Sequence, residues 1–190
     1  MKQLDSLTIE TYTLLMIKEI ASALLVPVLF ISCASEEKES EHAKIFSATD
    51  NFTIDLNSGT YIDKVRNAIA IDAANPEFRA KMIPSYINID KIDGISSEQT
   101  YTAYLTVLSE IDGESKYQLS VNGTVIGYGF APATENDFSE TQLNMGTLSL
   151  KTGDRIEVAS SAVTIGKIPE NGETAYSRGR WTALRLDPVH

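Results

Sequence analysis

From about Ala48 to the end of the chain, apolar and polar residues alternate with a period of two, not 3.6. In "FTIDL", Phe52, Ile54 and Leu56 share one face, and "NSG" at 57–59 breaks the run. The same pattern predicts strands at 68–72, 78–83, 85–89, 101–108, 117–121, 124–130, 147–150, 155–160 and 181–186. No stretch beyond Lys44 carries the three- and four-residue spacing of an amphipathic helix.

Turn chemistry joins these runs. Asn122-Gly123 sits between two strands and suits a type I′ hairpin, which needs positive φ at both central residues. Asp112-Gly113 makes a similar corner. Short strands at intervals of about ten residues, without helices between them, predict an all-β fold, an antiparallel β-sandwich or jelly roll. No internal repeat and no Pro/Gly/Ser linker divides 48–190, which is read as one sandwich domain.

The pattern before Ala48 is different. "IASALLVPVLFIS", Ile20 to Ser32, is apolar, interrupted by Pro27, and preceded by Lys18, as in a secretory signal. Met16 opens a more typical signal than Met1 does. "FISC", ending at Cys33, resembles the bacterial lipobox, with Phe30 in place of the usual aliphatic residue. Residues 1–32 are thus expected to be a signal peptide, and Cys33 to carry a lipid that anchors the chain to the membrane. Residues 33–47, rich in acids, are expected to be a solvated tether. Ser35, Glu36 and Glu37 beside the cysteine resemble the surface-export signal of Bacteroidetes lipoproteins, which implies an outer-membrane, cell-surface location.

Charge and residue inventory narrow the chemistry. A net charge of -10 with both signs interspersed excludes a nucleic-acid face, which must be basic to displace counterions from phosphates. One cysteine excludes an intrachain disulfide. The two histidines, His42 and His190, lie in the tether and at the terminus, so neither a Ser/His triad nor a zinc hydrolase site is expected. A carboxylate pair for glycan hydrolysis or lysis stays open for a chain with 26 acids.

Two stretches are candidates for sites. "SEIDGES" sets Glu110, Asp112 and Glu114 around a glycine corner, where oxygen ligands suit a structural calcium ion; the alternative is a solvated hairpin corner. "GKIPENGETAYSRGRW", Gly166 to Trp181, gathers Asn171, Tyr176, Arg178, Arg180 and the chain's only tryptophan. Strand parity in "RWTALRL" puts Leu184 and Leu186 on one face and Trp181 on the other, so inward leucines predict an outward tryptophan. An exposed indole covers the apolar face of a sugar ring, and a guanidinium fork binds hydroxyls or carboxylates. The competing reading makes Trp181 a plug and pairs Arg178 and Arg180 with Glu170 and Glu173.

"YQLSVNGTVIG", "LSLKTGDRIEV" and "GRWTALRL" resemble phrases of galactose-binding-like β-sandwich modules, the group that includes carbohydrate-binding module families 6 and 35. The resemblance runs from about Thr100 to Val189. It implies a ligand site in loops at one end of the sandwich, with an aromatic platform and an asparagine: Trp181 with Asn171, or Tyr128 with Asn136. Together these observations lead to the expectation of a non-catalytic, lipid-anchored, polysaccharide-binding protein, its ligand neutral or anionic, working beside glycan-degrading enzymes. The alternatives are a protein-docking or structural lipoprotein and, more weakly, a small glycan hydrolase or lyase.

Overall fold

A computed structural model describes residues 42–90, 94–95 and 97–190. The signal, Cys33 and most of the tether lie outside the described residues. Within them the strands are β1 (Lys44–Ser47), β2 (Thr60–Asp63), β3 (Ala68–Ile71), β4 (Ile83–Asn88), β5 (Gln99–Ser109), β6 (Lys116–Val121) and β7 (Thr124–Phe130). They continue with β8 (Ser139–Leu150), β9 (Arg155–Ser160), β10 (Pro169–Glu170), β11 (Glu173–Thr174) and β12 (Trp181–Pro188).

Apart from β10 and β11, which pair only with each other, the strands form two antiparallel sheets. One has the order β2-β3-β12-β5-β8 with β1 also on β12; the other has the order β4-β9-β6-β7. Between them lie Tyr101, Ala103, Leu105 and Val107 of β5, Leu184 and Leu186 of β12, Tyr117 and Leu119 of β6, and Ile156 and Val158 of β9, none measurably exposed. Each branched or aromatic side chain buried this way contributes ~1.5–3 kcal/mol relative to an exposed one. At one margin Gly127 lets β7 approach β8: a Cβ there would sit 2.2 Å from the Met145 carbonyl oxygen. The expected antiparallel sandwich is therefore present, with the Asn122-Gly123 hairpin at its predicted place: both residues have positive φ.

Several local expectations need correction. The sandwich begins at Lys44, not Ala48, because β1 pairs with β12 from Lys44↔Leu186 to Ser47↔Ala183. A one-turn helix, α1 (Ala48–Asn51), follows it. "FTIDL" is no strand: only Thr53 bridges to Tyr86, and Leu56 enters a 3-10 turn. The run at 78–83 is likewise irregular, since Pro76–Phe78 forms a 3-10 turn and Ala80 has a positive φ.

The largest correction concerns Trp181. On β12, Trp181 lies opposite Val107 and Ala183 opposite Thr106, so two steps on one strand face a single step on the other. This bulge resets the alternation, and Trp181 falls on the same face as Leu184 and Leu186. The indole is fully buried and meets Phe52 edge-on, with centroids 4.8 Å apart at 87°. Of the two readings of this residue, the structure selects the plug.

As the chain's only tryptophan, Trp181 reports on this placement. Its native emission should be blue-shifted and resistant to iodide quenching, becoming quenchable only in denaturant. Trp181→Ala should lower stability by about 3–5 kcal/mol in a urea titration.

Candidate functional site

The long connection from β9 to β12 is held by a buried ion network at one end of the sandwich. Arg180 donates from Nε to Asp63 Oδ2 at 2.9 Å, from Nη2 to the Tyr61 hydroxyl at 3.3 Å, and from Nη1 to Glu110. The three charged side chains are each no more than 8% exposed. The Phe138 ring lies beneath both Arg180 and Arg66, and Arg66 also bonds Asp63 at 3.0 Å. The Arg180 carbonyl accepts from the Leu108 amide and the Tyr117 hydroxyl.

Two carboxylates on one guanidinium titrate in opposite directions. Burial pushes Glu110 up, and Arg180 with the Arg178 amide only partly offsets it. Burial also acts to raise Asp63, but hydrogen bonds from Arg180 and Arg66 outweigh it, leaving that carboxyl below its ordinary value. For Arg180 burial works against the charged form, yet Glu110, Tyr61 and Asp63 hold it protonated.

Glu110 also fixes the loop itself, accepting from the Arg178 backbone N–H at 2.9 Å. The Arg178 carbonyl in turn receives the Ile71 amide, tying the segment to β3. Gly179 stands between the arginines with φ +55°, and a Cβ there would lie 2.8 Å from the Ser161 carbonyl oxygen. That close approach lets Arg180 enter the interior while Arg178 stays partly exposed.

Outside this network, Arg178 lines a cavity of about 280 Å³ together with Arg79, Tyr176, Asn171, Glu170 and Glu173. Arg79 comes from the connection between β3 and β4, held by its Nε bond to the Ala73 carbonyl at 2.8 Å, and lies over the Tyr176 ring at 4.5 Å. Across Arg178 a second hollow, of about 450 Å³, is walled by Leu56, Tyr61 and Phe78. Thr60 and Asp72 line it as well, so the first limb is charged and the second mixed.

Three of the predicted ligand residues, Asn171, Tyr176 and Arg178, meet in one cavity. Arg79 was missed in the sequence, since it lies far from the loop in a segment that reads as a strand. Arg180 and Trp181 are interior and face neither cavity. Tyr128 belongs to β7 rather than to a loop and carries Lys116 over its ring at 4.4 Å. The Asn136 carbonyl accepts from the Thr134 and Ser139 hydroxyls. Neither residue lines either hollow.

The calcium expectation does not fit the corner. Glu110 turns inward to Arg180 and the Arg178 amide, so only Asp112 and Glu114 remain of the three. Among the described residues no group of three or more His, Cys, Asp or Glu is placed to hold an ion. Burial, together with neighbouring Asp137 and Glu170, raises Asp112.

The two antiparallel sheets decide the architecture. The fold is an antiparallel β-sandwich. It is similar to the CBM36-1 domain of a multidomain xylanase from the hindgut metagenome of Trinervitermes trinervoides, with 14% identity and a TM-score of 0.50 over 78% of this chain and 99% of that one. It is similar also to the insecticidal crystal protein Cry2Aa, with 14% identity and a TM-score of 0.51 over 80% of this chain and 23% of that one. A GH26-CBM35 β-(1,4)-mannanase from Podospora anserina aligns at 16% identity and a TM-score of 0.49, covering 80% of this chain and 28% of the enzyme. The chain thus spans under a third of that mannanase. No family model matches the chain, and no curated protein is similar to it in sequence.

Removing the central cation should be costly. Arg180→Ala leaves Glu110 buried without a cation and Asp63 with Arg66 alone, and should cost about 3–5 kcal/mol in urea unfolding.

The two acids should also separate with pH. Asp63, lowered in the folded state, contributes stability that is present above its ordinary value of 3.8 and lost as pH falls through its folded value. Asp63→Asn should therefore flatten the acid limb. Glu110 is raised, so its contribution is fully present below its ordinary value of 4.5 and lost as pH rises through its folded value. Glu110→Gln should remove that loss. Urea midpoints measured from about pH 3 to about pH 7 check both.

Proposed function

We propose that this protein is a non-catalytic carbohydrate-binding protein whose site is the cavity of Arg79, Tyr176, Arg178 and Asn171. The observation that carries this reading is the convergence of two partly exposed guanidinium groups, an aromatic ring and an amide on one open hollow. At about 280 Å³ it lies just below the ~300–1,000 Å³ typical of small-molecule sites, a size suited to one sugar unit and not to a long stretch of chain. Guanidinium forks supply planar donors for vicinal hydroxyls or a carboxylate, and the Tyr176 ring keeps Arg79 flat. The β-sandwich likeness to the CBM36-1 domain is consistent with this use.

The concave wall favours a sugar over a protein partner, which takes a flatter apolar surface. A hydrolytic or lyase reading has less support. Glu170 and Glu173 face one another across a single hairpin, and each is drawn to an arginine. They do not stand on opposite walls, as an acid and a base flanking a glycosidic bond must. Attachment to the outer membrane through Cys33, with the cavity presented to extracellular polysaccharide for partner enzymes, completes the proposal.

Affinity gels and glycan arrays test it. Arg178→Ala and Tyr176→Ala should each weaken retention on a glycan the parent binds, by roughly tenfold or more for the arginine, whose hydrogen bonds are charge-assisted. Trp181→Phe should leave retention unchanged. Unchanged retention in both cavity variants would remove this loop from the site.

A further inference from the structure

The cavity's own carboxylates carry information about its ligand. Glu170 and Glu173 sit on a two-stranded ribbon that joins neither main sheet: Pro169 pairs with Thr174 and Glu170 with Glu173. Asn171 and Gly172 form its turn, both at positive φ. Beyond that pairing, the Ala175 amide donates to the Ile168 carbonyl at 2.8 Å. From this ribbon Glu173 reaches Arg79 at 3.0 Å and Glu170 reaches Arg178 at 3.5 Å. Both glutamates remain substantially exposed, 66% and 47%, whereas the arginines are 20% and 29% exposed.

Each guanidinium that would greet a ligand is thus already met by a carboxylate from a narrow, solvent-facing ribbon. Exposed pairs of this kind are weak, because water screens them and two long side chains must be held in one geometry. Arg79 is held at Nε by the Ala73 carbonyl, and the Arg178 backbone is held by Glu110 and Ile71. Exchange of partner therefore frees the ribbon, while Arg79 Nε and the Arg178 backbone keep their own bonds.

We propose that the β10–β11 ribbon is a carboxylate-tipped clasp, with Glu170 and Glu173 standing in for the carboxylate of an acidic sugar, a uronate, that displaces them from Arg178 and Arg79 on binding. This rests on the carbohydrate reading above and gives it a ligand class. The clasp sets a threshold: a neutral sugar has no group that replaces both ion pairs, so it leaves the ribbon closed and binds more weakly.

The test uses the full chain, the double variant Glu170→Gln/Glu173→Gln, and Arg178→Ala, titrated calorimetrically with trigalacturonate and, as a neutral probe, xylotriose. The double variant should bind trigalacturonate roughly tenfold more tightly than the parent, since two exposed pairs no longer compete. Arg178→Ala should lose that binding. Hydrogen exchange at the Ala175 amide should accelerate in the double variant without ligand, and in the parent when trigalacturonate is bound. Equal or weaker binding by the double variant overturns the clasp. Binding of xylotriose alone, still sensitive to Arg178→Ala, overturns the acidic ligand class while leaving the carbohydrate site standing. Binding of neither probe, with no glycan retained on an array, overturns both.

Discussion

The guanidinium of Arg180, buried between Glu110 and Asp63, is the interaction on which the rest of this end of the molecule depends. An isolated buried charge is costly, and here the cost is met by two carboxylates, a phenol and an aromatic face together. The partners come from distant parts of the chain: Asp63 and Tyr61 from β2, Glu110 from the end of β5, Phe138 from the approach to β8. One cation therefore fastens β2 and two connections to the start of β12, a central strand of its sheet. The same Glu110 that neutralises Arg180 also accepts the Arg178 amide, so charge compensation and placement of the β9–β12 connection share one side chain.

From that anchor the geometry of the cavity follows. Gly179 lets the backbone pass within reach of Ser161, and the arginines on either side divide between interior and cavity. Tyr176 and Arg79 then meet across the gap between the β9–β12 and β3–β4 connections. Nearby Ser115 and Ser177 hydroxyls, 2.6 Å apart and buried, and the bridge between Val163 and Ser177 brace the start of the same segment. The backbone beneath the cavity is thus held by buried contacts, whereas the ribbon beside it rests on exposed ion pairs.

Much of the sandwich was legible in the sequence because its inner strands alternate cleanly: "YTAYLTVL" and "RIEVAS" lie within β5 and β9. β8 was recognised only at its end, because "SETQLNMG" offers few apolar residues and Gly146, at φ +99°, interrupts the alternation. β2 was hidden because "TYID" offers a single aliphatic residue, whereas the equally short β3 reads "AIAI". Parity misplaced Trp181 because a bulge is a feature of strand pairing, and nothing within "RWTALRL" announces the partner register. The site was half legible: the aromatic and basic residues of one loop were visible as a group, and Tyr176 and Arg178 do share a cavity. Arg79 could be found only once folding brought it to the loop, and the inward turn of Glu110 only once Arg180 was seen to need it.

The central claim is that the ligand is held by Arg178 and Arg79 on a floor that the Arg180 network keeps fixed. Nitrogen-resolved nuclear magnetic resonance of the arginine Nε–H groups and the single indole, during titration with an acidic oligosaccharide, tests it most directly. The Arg178 and Arg79 signals should shift and saturate together while those of Arg180 and Trp181 stay in place. Shifts confined to the amides of β7 around Tyr128, with Arg178 and Arg79 silent, would contradict it.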